Sequence, residues 1–262
     1  MSGLLFRSRR IAGRRLLGAL LVCSVASGCA SNKRTTTPPA PPPSASPAPP
    51  PAAETLPDGL KWVQRSAEYH AAVLQTYRIA TAAIERHAGA SGGRAWAVIL
   101  DADETVISNL QYQIERSRLG AGFSPESWAA WVRRREAVPL PGAAPFLARV
   151  RALGGRIAIV TNRLQSECDD TATVFRASAL VFDAMLCRPD GSPSDKNPRF
   201  AAVASGQTPA GPAPIEVVAF VGDNIQDFPK LTQAIRQQGE AAFAEFGVRY
   251  FMVPNPMYGG WQ

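Results

Sequence analysis

Histidine is scarce in this chain, whose 262 residues include only His70 and His87. Sites built on a histidine nucleophile, a Ser-His-Asp triad or a His-rich zinc centre are therefore poor fits. Long apolar runs are also lacking. The mostly apolar run at 16–25 is well short of the roughly 20 residues that span a bilayer. Hydrophobic residues nevertheless make up 46% of the chain, which is enough for a sizeable core.

An excess of basic residues is confined to the N-terminus. Lys and Arg number 28 against 21 Asp and Glu. Seven of the basic residues and none of the acidic ones fall within 1–34, so the rest of the chain has equal numbers of each. Since no basic patch with interleaved aromatic residues remains, nucleic acid is not expected as a partner.

Residues 1–28 have the three parts of a secretory signal peptide: a basic start, an apolar run and a small-residue end. Ser27 and Gly28 directly before Cys29 resemble the bacterial lipobox, so we expect Cys29 to be lipidated and to hold the protein to a membrane. An ordinary signal cleaved nearby, with Cys29 a free thiol, is the alternative. Ala30 favours the outer membrane by the rule that such lipoproteins follow, which predicts a location in the cell envelope.

Proline is concentrated directly after this cysteine. Residues 35–57 hold ten of the 23 prolines and no aromatic residue. This composition is typical of a polyproline-II tether, which extends about 3.1 Å per residue. We therefore expect a lipidated cysteine and tether over 29–57 and a folded domain over 58–262.

The remainder of the chain predicts an α/β domain. Apolar positions recur at helical spacing over 62–87, which indicates a long helix or a helix pair. Short aliphatic runs then occur at 96–100, 157–160, 184–187, 217–221 and 250–253. Amphipathic segments alternate with them near 126–136, 143–153, 166–178, 195–204 and 229–245. Continuous apolar runs separated by helices indicate a parallel sheet covered on both faces, with its ligand site beyond the carboxyl ends of the strands.

Polar residues follow these predicted strands. Two carboxylates about 4 Å apart repel by about 4 kcal/mol at an effective dielectric constant of 20, so a close pair needs a cation or a shared proton. Acids, a hydroxyl, an amide and a lysine at one sheet edge therefore predict a site for Mg²⁺ and a phosphoryl group. The residues are Asp101, Asp103, Thr161, Asn162, Lys196, Asp223 and Asp227.

These segments resemble a known family. The stretches 99–105, 160–163, 196–200 and 220–228 are similar to the four motifs of the haloacid dehalogenase superfamily. The greatest similarity is to its class C bacterial acid phosphatases, and it extends from 62 to 261. The resemblance implies a Rossmann-like domain with a parallel sheet and a smaller helical part formed by the N-terminal helices and inserts. It also allows a homodimer.

The resemblance also implies a reaction and its residues. The expected activity is Mg²⁺-dependent hydrolysis of 5′-nucleoside monophosphates and related phosphomonoesters through an aspartyl-phosphate. Asp101 would be the nucleophile and Asp103 the general acid and base. The remaining roles are phosphate binding for Thr161, Asn162 and Lys196, and Mg²⁺ binding for Asp101, Asp103, Asp223 and Asp227.

Aromatic residues near these motifs are candidates for binding a nucleobase. Aromatic faces stack on bases at about 1–3 kcal/mol each. We expect Trp128, Tyr258 and Tyr112 to contribute to such a surface, and Trp131 to lie in the core.

Some alternatives remain open from the sequence. The protein could instead be a surface lipoprotein that binds nucleotide or haem with little catalysis, or a phosphotransferase that uses the same residues. Cys168 and Cys187 lie at the same sheet edge, and export places them in an oxidising compartment, so the sequence leaves a disulfide open; two buried free cysteines are the simpler expectation.

Overall fold

The computed structural model describes residues 56–211 and 214–262. The predicted signal peptide, Cys29 and the tether up to residue 55 lie outside the described residues. Leu56 is already buried, in contact with the apolar cluster that holds Leu60 and Ile114. Among the described residues, no helix has the length and apolar character needed to cross a membrane.

A parallel sheet of five strands forms the centre of the domain, as the sequence predicted. Its strand order is β5-β4-β1-β6-β7, and every neighbouring pair is parallel. The chain therefore adds β4 and β5 on one side of β1 and then adds β6 and β7 on the other side. The strands are β1 (Trp96–Leu100), β4 (Arg156–Leu164), β5 (Ala184–Arg188), β6 (Glu216–Gly222) and β7 (Tyr250–Met252).

Both faces of the sheet are covered, because successive side chains of a strand point to opposite faces. In β1, Trp96, Val98 and Leu100 join one apolar cluster, and Ala97 and Ile99 join the other. The helices are α1 (Asp58–Arg65), α2 (Ala67–Ala90), α3 (Leu110–Arg118), α4 (Pro125–Arg134), α5 (Ala143–Ala152), α6 (Cys168–Ala177) and α7 (Asn197–Ala204). Helices α2 and α5 pack on one face and α7 on the other.

The predicted N-terminal helical segment is a helix pair. Ser66 lies between α1 and α2 with extended backbone, and its hydroxyl accepts a hydrogen bond from the Tyr69 N–H at 3.0 Å. Such a cap satisfies one of the N–H groups that have no partner within the helix, so α2 starts anew at Ala67.

A small insert follows β1. It consists of α3, α4 and the two-stranded ribbon of β2 (Ile107–Ser108) and β3 (Val138–Pro139). The sequence pattern predicts α4 but not α3. It does not predict the ribbon either, because two-residue strands carry no periodic pattern.

The prediction of a helix over 229–245 was wrong. This segment forms two 3₁₀ turns, Gln233–Gln237 and Glu240–Phe243, separated by Gln238 and Gly239. Phe228, Phe246 and Tyr250 pack together with ring centroids 5.0–5.6 Å apart. Anchoring both ends in one aromatic cluster turns the chain back on itself, which a straight helix could not do.

Cys168 and Cys187 form a disulfide with their Cα atoms 6.0 Å apart. It joins the start of α6 to β5, next to the strand ends.

Reduction of this disulfide is expected to lower the Tm by about 6–12 °C. Closing a loop of 15–20 residues stabilises a protein by about 3 kcal/mol, and each kcal/mol shifts the Tm of a domain of this size by about 2–4 °C. Calorimetry with and without reductant measures the shift, and the Cys168→Ser/Cys187→Ser double variant should not respond to reductant. Alkylation of either cysteine in unreduced native protein would contradict the pairing.

Candidate active site

The candidate site lies beyond the carboxyl ends of the central strands, where the direction of strand succession reverses. Asp101 directly follows β1, and its N–H donates to the Val221 carbonyl of β6 at 3.0 Å. Strand β6 ends at Gly222, where an added Cβ would lie 2.2 Å from the Cβ of Asp227. A glycine at this position therefore allows the loop to fold back so that Asp227 reaches Asp101.

Lys196 lies between two of the carboxylates. Its Nζ donates to Asp101 Oδ1 at 2.5 Å and to Asp227 Oδ1 at 2.6 Å. All three residues are buried. Burial alone lowers the pKa of Lys196, but the charges of the two carboxylates outweigh this effect and raise it. The lysine is therefore a fixed cation at the centre of the site.

Asp223 completes a group of three carboxylates. It accepts hydrogen bonds from Thr105 Oγ1 at 3.1 Å and from Asn255 Nδ2 at 2.8 Å. One oxygen each of Asp101, Asp223 and Asp227 lie within 4.8 Å of one another.

This group has a charge and a donor set that fit a divalent cation. Three ionised carboxylates beside one ammonium leave two negative charges. Burial raises the pKa of Asp101 to about 7, with Lys196 opposing the rise and Asp227 adding to it. Burial and the charge of Asp227 also raise the pKa of Asp223 well above its ordinary value. Carboxylate oxygens are the ligands that hard divalent cations prefer, so these three residues would hold such an ion.

Thr161 and Asn162 lie near the carboxyl end of the neighbouring strand β4, which continues to Leu164 beyond the predicted strand at 157–160. Arg199 holds both of them: it donates to the Thr161 carbonyl and, at 2.6 Å, to Asn162 Oδ1. The Thr161 hydroxyl accepts from the N–H of Arg163 at 3.1 Å, which leaves its own proton free for a ligand. The two side chains can therefore bind an anion near Asp101.

Asp103 lies outside the three-carboxylate group, although the sequence placed it among the metal ligands. Its Oδ1 accepts from Arg163 Nε at 2.9 Å, from Arg163 Nη2 at 2.8 Å and from Asn109 Nδ2 at 2.8 Å. The side chain is 17% exposed, whereas that of Arg163 is 1% exposed. Asp103 is thus held by donors and partly open to solvent, which suits a group that exchanges a proton.

Glu104 connects this loop to the C-terminal segment. Its Oε1 accepts from the Asn109 N–H at 2.6 Å, and its Oε2 accepts from the Tyr258 hydroxyl. Its φ is 52°, in the left-handed region that is unfavourable for residues with a Cβ. Burial, and next the charge of Asp103, raise the pKa of Glu104 to about 8. The contacts of Glu104 place Tyr258 beside the acidic loop.

Trp128 lies on α4 and is half-buried. Its ring packs edge-on against Tyr112, with centroids 5.2 Å apart, and the Arg163 guanidinium carbon lies 5.3 Å from its centroid. Tyr112 is 2% exposed, so its ring supports Trp128 and offers no open face to a nucleobase. Trp131 is 2% exposed, which confirms its expected place in the core.

Several residues of this site have no role that the sequence predicted. Arg163 and Arg199 were noted only as parts of motifs, although their position next to polar strand ends was a usable signal. Glu104 was likewise noted only as part of the first motif. Asn109 and Asn255 carried no such signal, because each contacts the site through a side-chain hydrogen bond that local spacing does not reveal.

Comparison with known proteins agrees with this geometry. Residues 43–261 match the model of the HAD superfamily, subfamily IIIB (acid phosphatase). The structure of the class C acid phosphatase from Bacillus anthracis is 28% identical, with a TM-score of 0.68 over 78% of this chain and 85% of that one. The structure of the class C acid phosphatase from Bacillus anthracis with tungstate bound is 27% identical, with the same TM-score and the same coverage. The chain belongs to subfamily IIIB of the HAD superfamily, the acid phosphatases, and is a phosphomonoesterase.

Proposed function

We propose that this phosphomonoesterase depends on Mg²⁺ and hydrolyses 5′-nucleoside monophosphates and related esters through an aspartyl-phosphate at Asp101. The observation that supports this most strongly is the group of Asp101, Asp223 and Asp227, with the buried Lys196 between two of these acids. It combines a carboxylate nucleophile, a fixed cation and the ligands for a divalent ion at one point beyond the sheet.

In the proposed reaction, an Asp101 oxygen attacks phosphorus and the bond to the leaving oxygen breaks, while Asp103 gives its proton to that oxygen. Water then attacks the phosphorus of the aspartyl-phosphate, Asp103 takes a proton from that water, and the bond to Asp101 breaks. Lys196, Thr161 and Asn162 bind the phosphoryl oxygens. A bound Mg²⁺ supplies positive charge that offsets the charge on the phosphate and the carboxylates.

The test is release of inorganic phosphate by the purified protein, with 5′-nucleoside monophosphates, an aryl phosphate and a small aliphatic phosphate as substrates. Chelation is expected to stop turnover and added Mg²⁺ to restore it. Addition of an alcohol measures how much of the phosphoryl group passes to an acceptor other than water. Unchanged turnover after chelation would contradict the metal dependence, and hydrolysis of the aliphatic ester alone would contradict the nucleotide preference.

Asp103→Asn is expected to reduce kcat/KM by about 10²- to 10⁴-fold with alkyl phosphates, the range typical of general acid–base catalysis. The loss with an aryl phosphate should be smaller, because a good leaving group needs less protonation. Phosphate release from the two esters measures the difference. Equal losses would argue against Asp103 as the acid.

Trp128→Ala and Tyr258→Ala are each expected to lower kcat/KM for nucleotides by about 5- to 150-fold, since each removes one stacking partner worth about 1–3 kcal/mol. A small aliphatic phosphate has no ring to stack, so its kcat/KM should change little. Kinetics on both substrates check this prediction.

The matched control is Tyr258→Phe, which keeps the ring but removes the hydrogen bond to Glu104. We expect it to retain the preference for nucleotides. If the alanine variants lower the rates for both substrates alike, or for neither, the nucleobase must bind elsewhere.

We further propose that the mature protein is a lipoprotein of the cell envelope, attached to the outer membrane through Cys29. The support is the sequence around this cysteine and the proline-rich segment that follows it.

A further inference from the structure

We propose that Arg163 and Asn109 are positioning residues that fix the carboxylate of Asp103 so that its Oδ2 exchanges the proton during the reaction. The inference rests on the proposed role of Asp103 as general acid and base. It assigns a function to two buried polar residues that the reaction itself does not use.

The two oxygens of Asp103 have different surroundings. Three donors bond to Oδ1, namely Arg163 Nε at 2.9 Å, Arg163 Nη2 at 2.8 Å and Asn109 Nδ2 at 2.8 Å. From the described residues, Oδ2 accepts only a longer bond of 3.2 Å, shared with the same Nε. A carboxylate oxygen has about two lone-pair sites, so Oδ1 is saturated whereas Oδ2 keeps a site for a proton.

The orientation of the Asn109 amide is also fixed. Its Oδ1 accepts from Trp131 Nε1 at 2.8 Å and from Arg163 Nη2 at 3.0 Å. Its Nδ2 therefore faces Asp103 and Glu104, with the Glu104 bond at 3.2 Å. Because Asn109 is fully buried, a flipped amide would leave several polar groups without partners.

Arg163 is held on the sides that do not face Asp103. Its Nη1 donates to Thr171 Oγ1 at 3.1 Å, and its guanidinium carbon lies 5.3 Å from the Trp128 ring centroid. The planar guanidinium of Arg163 makes these contacts and the pair of bonds to Asp103 at the same time. Lysine has a single ammonium group and cannot make the same set of bonds, so charge alone is not enough here.

Loss of this support should affect the proton-transfer step. Small misplacement of a reacting group can cost about 10²-fold in rate. We therefore expect Arg163→Met and Asn109→Ala to lower kcat for an aliphatic phosphate by about 10²-fold with little change in KM. The loss for an aryl phosphate should be below about 5-fold, since its leaving group needs little protonation. Arg163→Lys should behave like Arg163→Met.

The decisive experiment is a double-mutant cycle with Asp103→Ala, in which Arg163→Met should cause no further loss on the aryl substrate. Arg149→Met, which removes an exposed arginine paired with Glu85, is the matched control and should keep wild-type rates. Near-ultraviolet circular dichroism checks the folding of each variant. If Arg163→Met does not fold, Asn109→Ala takes its place in the same cycle.

Equal losses on both esters, or an undiminished effect of Arg163→Met in the Asp103→Ala background, would overturn the proposal. Either result would mean that Arg163 acts on phosphate or on the fold rather than through Asp103. Failure of the proposed role of Asp103 gives a different result, because Asp103→Asn itself would then lower turnover of both esters equally.

Discussion

Asp101→Asn is expected to leave less than about 1% of wild-type kcat/KM, because the neutral amide cannot attack phosphorus to form the covalent intermediate. The variant is nearly isosteric and keeps an oxygen for the Lys196 bond, so the fold should be retained. The aryl phosphate is the substrate of choice, since its hydrolysis depends least on Asp103. Loss of turnover with this ester therefore isolates the nucleophile.

Asp58→Asn is a suitable control for this change. Asp58 is 98% exposed and pairs with Lys61 at the start of α1, so its loss should not affect turnover. Mass spectrometry must exclude deamidation of the introduced asparagine back to aspartate. Turnover above about 1% in protein free of deamidation would contradict the nucleophile assignment.

Lys196→Met is expected to lower kcat/KM by about 10²- to 10³-fold, because it removes a preorganised cation from the phosphoryl site. The change also affects stability. Removing one partner of a buried ion pair destabilises a protein by about 3–5 kcal/mol, which corresponds to about 6–20 °C in Tm for a domain of this size. The remaining carboxylates, Asp101 and Asp227, would then face each other without a cation.

Calorimetry in chelator and in excess Mg²⁺ tests this account of Lys196. The Tm deficit should be largest in chelator and smaller in Mg²⁺, because an ion that binds only the folded state stabilises it. Lys61→Met removes an exposed lysine and is the matched control. If Lys196→Met melts at the wild-type temperature in chelator, the lysine does not hold these carboxylates together in solution.

Much of the sheet could be predicted from the sequence, because strands buried on both faces appear as continuous apolar runs. The strand at 96–100 is found with the predicted bounds, and the residues after it reach the site because parallel strands end at one edge. The same geometry brings Lys196 and the acids that follow β6 to Asp101.

Other features depend on contacts between distant residues. The side chain of Asp103 is held by Arg163, 60 residues later, and no local pattern indicates that pair. Tyr112 follows the acidic loop closely, but its burial beneath Trp128 depends on how α3 and α4 pack. The segment 229–245 has an amphipathic composition, yet the aromatic cluster at its two ends prevents a helix.

The covalent intermediate is most directly tested by the stereochemical course at phosphorus. The substrate is a 5′-nucleoside phosphorothioate of known configuration, whose two non-bridging oxygens are different isotopes, hydrolysed in water of a third isotope. Attack by Asp101 followed by attack by water is two in-line displacements, so the account predicts net retention of configuration. Inversion would show a single direct attack by water and would contradict an aspartyl-phosphate at Asp101.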